Sequence, residues 1–130
     1  MLRPFVLGAE DDKQALALHL RPDEVTFERI FGGHAAAVRE RYHQEFPAPP
    51  VPRARPEQVA IRVFAGGGPT GRPLPTSWSP IVGLLNPDVV WCSFRFHHPE
   101  ARLGMAFDGL AWSMGHWAWF PKLWRWCPRA

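Results

Sequence analysis

The chain has 130 residues, 46% of them hydrophobic, and a net charge of +3. This length suits a single domain spanning 1–130 with its own core, and the composition excludes a disordered chain. The positive charge lies late in the chain, because residues 1–46 carry six basic and eight acidic side chains whereas 47–130 carry nine and four. Such an excess favours acidic partners but falls short of the dense Lys/Arg stripe of dedicated nucleic-acid binders.

The N-terminal part of the chain predicts strands. Residues 4–8 form a short apolar run, which we interpret as an opening strand and which is too short for a secretory signal. The alternating leucines of 16–20 and the β-branched and aromatic residues of 25–31 predict a hairpin. A helix over 25–31, with Asp23 as its N-cap, is the competing interpretation, and its buried face would hold Phe27, Ile30 and Phe31.

One principal helix is predicted after residue 34, because apolar residues recur there at helical spacing, namely Ala35, Val38, Tyr42 and Phe46. Residues 47–57 are rich in proline and predict an extended internal connector, although such a segment can also dock into an aromatic groove. A strand follows over 58–64, and then a Gly/Pro-rich loop over 65–76. The glycines between Gly66 and Gly71 permit an anion-binding turn, but the phosphate-loop sequence is missing.

The stretch 88–126 predicts an antiparallel meander of three strands. Asp108-Gly109 has the residue types of a two-residue type I′ turn. That turn would pair Phe107 with Leu110 and place large residues on one face, while the opposite face would carry small residues such as Ala106 and Ala111. We expect the helix to pack on the small residues. The predicted fold class is α+β, with an antiparallel sheet of five to seven strands and one principal helix.

The aromatic and basic tail is the main candidate for a binding site. Trp and cationic residues alternate there and could form the centre of a protein interface, stack on nucleic-acid bases, sit in a membrane interface or fill the core. The candidate partner-binding residues are Trp117, Trp119, Lys122, Trp124, Arg125 and Trp126 in the tail, with Arg95 and Arg102 before it.

Histidines and cysteines offer weaker candidates for chemistry. His97, His98, Glu100 and His116 have the side-chain types of a metal or acid-base site, but their spacing matches no zinc pattern. Cys92 alternates onto an apolar strand face, which favours a free buried thiol, and whether it pairs with Cys127 is left open.

These features predict a small non-enzymatic protein-binding domain, such as an inhibitor, an immunity protein or an accessory factor. The first alternative is a nucleic-acid-binding protein that uses the basic, Trp-rich second half. The second is a small metal-dependent enzyme built around the four His and Glu candidates. We expect no cofactor, no membrane span and a cytoplasmic location, with an acidic protein as the preferred partner and the oligomeric state open.

Overall fold

A four-stranded antiparallel sheet lies at the centre of the fold in the computed structural model, which describes residues 1–129. The strands neighbour one another in chain order: β1 is Ala60–Gly66, β2 is Val90–His97, β3 is Met105–Ser113 and β4 is His116–Trp119. The predicted α+β class, antiparallel sheet and C-terminal meander are confirmed. The prediction of five to seven strands is wrong for the described residues, because the N-terminal segments are helical.

Besides four short 3-10 turns, five α-helices accompany the sheet within residues 1–129: α1 (Pro4–Leu7), α2 (Glu10–His19), α3 (Glu24–Phe31), α4 (Ala35–Glu45) and α5 (Leu123–Trp126). The predicted principal helix is α4. It is not alone, because the segments interpreted as an opening strand and a hairpin form α1, α2 and α3.

Side chains at the helix starts explain why the N-terminal segments are helical. Pro4 opens α1, where its missing N–H costs nothing. The Asp23 carboxylate caps α3 by accepting the Thr26 N–H at 2.8 Å. The leucine alternation was misleading, because Leu18 is 64% exposed while Leu20 is buried. The competing helical interpretation is confirmed by the burial of all three residues it named, Phe27, Ile30 and Phe31.

Helices cover both faces of the sheet. On the face that carries Ala111 and Ala118, called the small face, α3 and α4 pack through a buried cluster that includes Val38. Small side chains let helices approach a sheet closely, so the predicted position of α4 is confirmed. The opposite face, called the large face, packs Phe94 and neighbouring aromatic residues against α1 and α2, with Phe5 fully buried.

The last hairpin turns at Met114-Gly115 and not, as predicted, at Asp108-Gly109. Met114 has φ 53° and Gly115 has φ 73°, which are the positive values that a two-residue type I′ turn requires. β3 instead continues through Asp108-Gly109 and pairs with β2 along nearly its whole length.

Asp108 and Gly109 form a β-bulge, because both stand opposite Ser93 of β2. The extra residue shifts the alternation of β3 by one position, so that Phe107 and Leu110 lie on the same face. The predicted division into a large and a small face is therefore right. The predicted pairing of Phe107 with Leu110 across a hairpin is wrong, since both belong to one strand.

The proline-rich segment crosses the large face without helix or strand between residues 47 and 57. Val51 packs against the large-face cluster. The Arg53 guanidinium donates two hydrogen bonds to the Glu10 carboxylate, at 2.6 and 2.7 Å, and lowers the pKa of Glu10 to about 2. The ion pair ties the crossing segment to α2. None of the helices within residues 1–129 has the length and apolar character needed to span a membrane.

Candidate functional site

The Asp108 position of the bulge joins three segments of the chain. Its carboxylate accepts the Trp78 indole N–H at 3.3 Å and the Lys122 backbone N–H at 3.2 Å. Its carbonyl oxygen accepts the Trp119 indole N–H at 2.8 Å. These contacts hold the chain after β4 beside the sheet and fix where α5 begins.

A groove of about 630 Å³ lies beside the bulge. Phe64 and Arg95 line it from the small face of the sheet, and Lys122, Trp124 and Arg125 line it from the start of α5. A second cavity of about 350 Å³ shares Phe64 with the groove and also borders Asp108. The two cavities share Phe64, Ser93 and Asp108 in their linings, so they adjoin at the bulge.

Five of the predicted partner-binding residues line this groove: Arg95, Lys122, Trp124, Arg125 and the buried Trp119. Trp124 is 40% exposed, so its ring is available to a partner. The Arg95 guanidinium lies 6.0 Å from the centre of the Phe64 ring and donates to the Arg102 carbonyl at 3.2 Å. Arg102 is exposed outside the groove lining, so its contact with the site is through this carbonyl.

The other predicted tryptophans serve the core. Trp119 and Trp126 are buried, although an edge of Trp119 borders the groove. The Trp126 indole N–H donates to the Pro121 carbonyl at 2.8 Å, which fixes the ring against α4. Trp117 lies on the large face with its ring centre 4.7 Å from that of Trp112. The tryptophans of the tail therefore differ residue by residue: Trp119 and Trp126 belong to the core, whereas Trp124 is exposed at the groove.

The three cations that line the groove, Arg95, Lys122 and Arg125, form no ion pair within residues 1–129. Within residues 1–129 the ion pairs join Arg39 to Glu24 and Arg53 to Glu10, away from the groove. Glu45 and Asp108 also border the groove, but neither forms an ion pair with Arg95, Lys122 or Arg125.

The surroundings of Arg95 favour an additional anionic acceptor. Arg95 stands directly opposite Arg62 across the β1–β2 ladder, which places two like charges side by side. Its buried Nε atom has no hydrogen-bond partner within the described chain. An anionic group beside these two arginines would relieve both conditions.

The predicted histidine site does not assemble. His97 ends β2, and its Nδ1–H donates to the His98 carbonyl at 2.8 Å. His98 in turn accepts the Glu100 backbone N–H at 3.1 Å. His116 pairs with the far end of β3, about 25 Å away at the usual strand rise. No three His, Cys, Asp or Glu residues within 1–129 lie together as metal ligands.

Both cysteines are free and buried in the structure. Burial raises the pKa of the Cys92 thiol, and it raises the pKa of Cys127 to about 12. Thiols in this state stay protonated at neutral pH, so neither has the thiolate character of a nucleophile.

Most other residues of the groove were missed from sequence, among them Phe64 and the segment from Pro50 to Pro52. Phe64 was assigned to a strand but not to the site, although it is 46% exposed. The sequence signal was that Phe64 shares one face of its strand with Arg62, whereas Ile61 and Val63 lie on the other face. The segment from Pro50 to Pro52 also lines the groove, and only the fold could place it there.

No protein-family model matches the chain, and no curated protein or solved structure matches it either.

Proposed function

We propose that this protein is a small non-enzymatic protein-binding domain, of the inhibitor, immunity or accessory-factor type, whose groove binds an acidic segment of another protein. The observation that supports it is a set of three cations, Arg95, Lys122 and Arg125, that have no ion-pair partner among residues 1–129 and lie beside the exposed rings of Phe64 and Trp124. Arg and Trp are enriched where interfaces concentrate their binding energy.

The groove is partly organised before a partner arrives. Arg95 is held by the Phe64 ring and by the Arg102 carbonyl, so it loses less side-chain entropy on binding than a free arginine. The backbone of Lys122 is fixed by the Asp108 carboxylate. A carboxylate of the partner would pair with these cations, and an apolar side chain beside it would contact Trp124.

The sequence alternatives fit the groove less well. Rings and cations also suit single-stranded nucleic acid, but the three cations of the groove fall short of the dense Lys/Arg stripe that dedicated nucleic-acid binders carry. A metal-dependent reaction has no assembled ligand set among the described residues.

Trp124→Ala should weaken binding of the captured partner at least about 30-fold, because the change removes an exposed ring from the centre of the site. The partner would be captured from a lysate of the native host after nuclease treatment, and its affinity would then be measured by calorimetry. Trp112→Ala is the matched control, since Trp112 is 39% exposed but lies on the large face. Equal losses for the two variants would contradict the assignment, and capture of nucleic acid alone would favour the first alternative.

The double variant Arg95→Glu/Arg125→Glu should weaken partner binding at least about tenfold and reduce its dependence on salt. Its fold should persist, because a glutamate in place of Arg95 would face Arg62 across the ladder. Arg55→Glu/Arg72→Glu changes the net charge equally at exposed positions outside the groove. If this control weakened binding as much, the field of the whole protein and not the groove would attract the partner.

A further inference from the structure

The two edges of the sheet differ in how they are covered. At the β4 edge, the Trp119 N–H donates to the Leu20 carbonyl at 2.8 Å, so α2 closes that edge. β1 forms the other edge and pairs only with β2. Among the described residues, no hydrogen bond uses the outer side of β1 between Ile61 and Ala65.

The backbone groups on this open side can be identified from the ladder. In a two-residue hairpin the residues flanking the turn exchange hydrogen bonds, and the pattern then alternates along each strand. Ser113 and His116 flank the turn between β3 and β4, so they are a hydrogen-bonded pair. When the alternation is followed from this pair through β3 and β2 to β1, the backbone groups of Ala60, Arg62, Phe64 and Gly66 point toward β2. The N–H and C=O groups of Ile61, Val63 and Ala65 consequently point outward.

The open stretch is symmetrical about Val63. Beyond its end, the Gly67 N–H is occupied by the Arg72 carbonyl at 2.9 Å, so the following loop closes the edge there. At the other end the chain leaves the strand before Ala60. Val63 is thus the midpoint of both the strand and its free segment.

β1 has few of the features that protect natural sheet edges. It contains no proline, its ladder with β2 has no bulge, and its one charged residue is Arg62. Val63 is 52% exposed on the large face, and Phe64 is 46% exposed on the small face. An unprotected apolar edge is a template for a further strand.

We propose that a second copy of this chain pairs with β1 through this edge, antiparallel and about a twofold axis at Val63. The outward groups of Ile61, Val63 and Ala65 then all find partners, because Val63 meets its own copy and Ile61 meets Ala65. On the small face Arg62 stands opposite Phe64 of the second copy, where a guanidinium and a ring attract each other. A twofold axis at Arg62 would oppose like charges, and one at Phe64 would leave Ile61 unpaired.

This pairing also extends the groove. Phe64 lines the groove, so Arg62 of the second copy would add a cation beside it. Only this consequence depends on the proposed function, because the dimer itself follows from the edge of β1.

The dimer should dissociate at roughly 10–100 µM, since a single pair of short strands buries less than a standard interface. Sedimentation velocity from about 1 to about 300 µM would measure it. Val63→Lys would place a lysine of each copy opposite the other at the axis, and the repulsion between them should weaken association at least about tenfold. Val82→Lys, at a valine that is 44% exposed away from β1, should leave it unchanged. A monomer at every concentration, or equal effects of both variants, would overturn the proposal.

Cross-linking tests the register independently of these variants. Paired residues at the axis lie about 5.5 Å apart between Cα atoms, within reach of a disulfide, so Val63→Cys should yield a covalent dimer on mild oxidation. Val59→Cys should not, because in this register the two copies of Val59 are about 27 Å apart. The native Cys92 and Cys127 are buried and should not interfere. Cross-linking through Val59 and not through Val63 would exclude the twofold at Val63 whatever the sedimentation result.

Discussion

Gly109→Ala should lower the free energy of unfolding by about 3 kcal/mol or more. Gly109 has φ +82°, and a Cβ there would lie 2.0 Å from the Phe120 carbonyl oxygen. Phe120 cannot retreat easily, because its own N–H donates to the Gly109 carbonyl at 2.7 Å and its ring is fully buried. Urea denaturation of the variant and the wild type would measure the difference.

Gly115→Ala is the control that distinguishes the destabilisation caused by the steric clash from the destabilisation caused by the positive φ. Gly115 also has a positive φ, of +73°, but a Cβ there would meet nothing within 4 Å. Its substitution should therefore cost only the left-handed conformation, about 1 kcal/mol. Similar losses at both glycines would mean that the bulge does not hold Phe120 as tightly as the structure indicates.

The folded state should lose stability as pH rises from about 9 to about 12. Burial raises the pKa of Tyr42 to about 12 and that of Cys127 to about 12, and it also raises the pKa of Cys92. The unfolded chain releases these protons at their ordinary pKa values, near 10 for Tyr and 9 for Cys. Between the two sets of values the unfolded state binds fewer protons, so stability falls as pH rises. Tyr42 alone should contribute on the order of 2 kcal/mol to this loss.

Tyr42→Phe should reduce the alkaline loss and leave the cysteine contribution in place. The Tyr42 hydroxyl is buried without a hydrogen-bond partner within the described chain, so its removal should also stabilise the protein slightly at pH 7. Tyr42 is the single tyrosine of the sequence, and phenolate absorbance reports its ionisation directly. A tyrosine that titrates near pH 10 in the folded protein would contradict the burial argument.

The faces of the meander could be predicted from sequence, but the position of its turn could not. A hairpin turn and a bulge at Asp108-Gly109 shift the alternation of the strand equally, so the apolar pattern is the same for both. The choice depends on contacts distant in sequence, above all those of the Asp108 carboxylate with Trp78 and Lys122. Local residue preference favoured the hairpin, and tertiary contacts favoured the bulge.

The candidate site was predictable in composition but not in shape. The tail pointed to the cations and to Trp124, yet Trp124 and Trp126 look equivalent in sequence. α5 is a single turn, so residues two apart point in different directions, and Trp126 enters the core while Trp124 remains outside. Phe64 joins them only because the sheet places β1 beside the tail.

The bulge also determines where the length of β3 can change. Deleting one residue anywhere else in this strand would turn all positions on one side of the deletion to the opposite face. Deletion of Asp108 or Gly109 would instead restore a regular ladder opposite Ser93 and leave both faces intact. Among single-residue deletions in β3, only those at the bulge are therefore compatible with the existing cores. Such a deletion would remove hydrogen bonds that hold the tail beside the sheet.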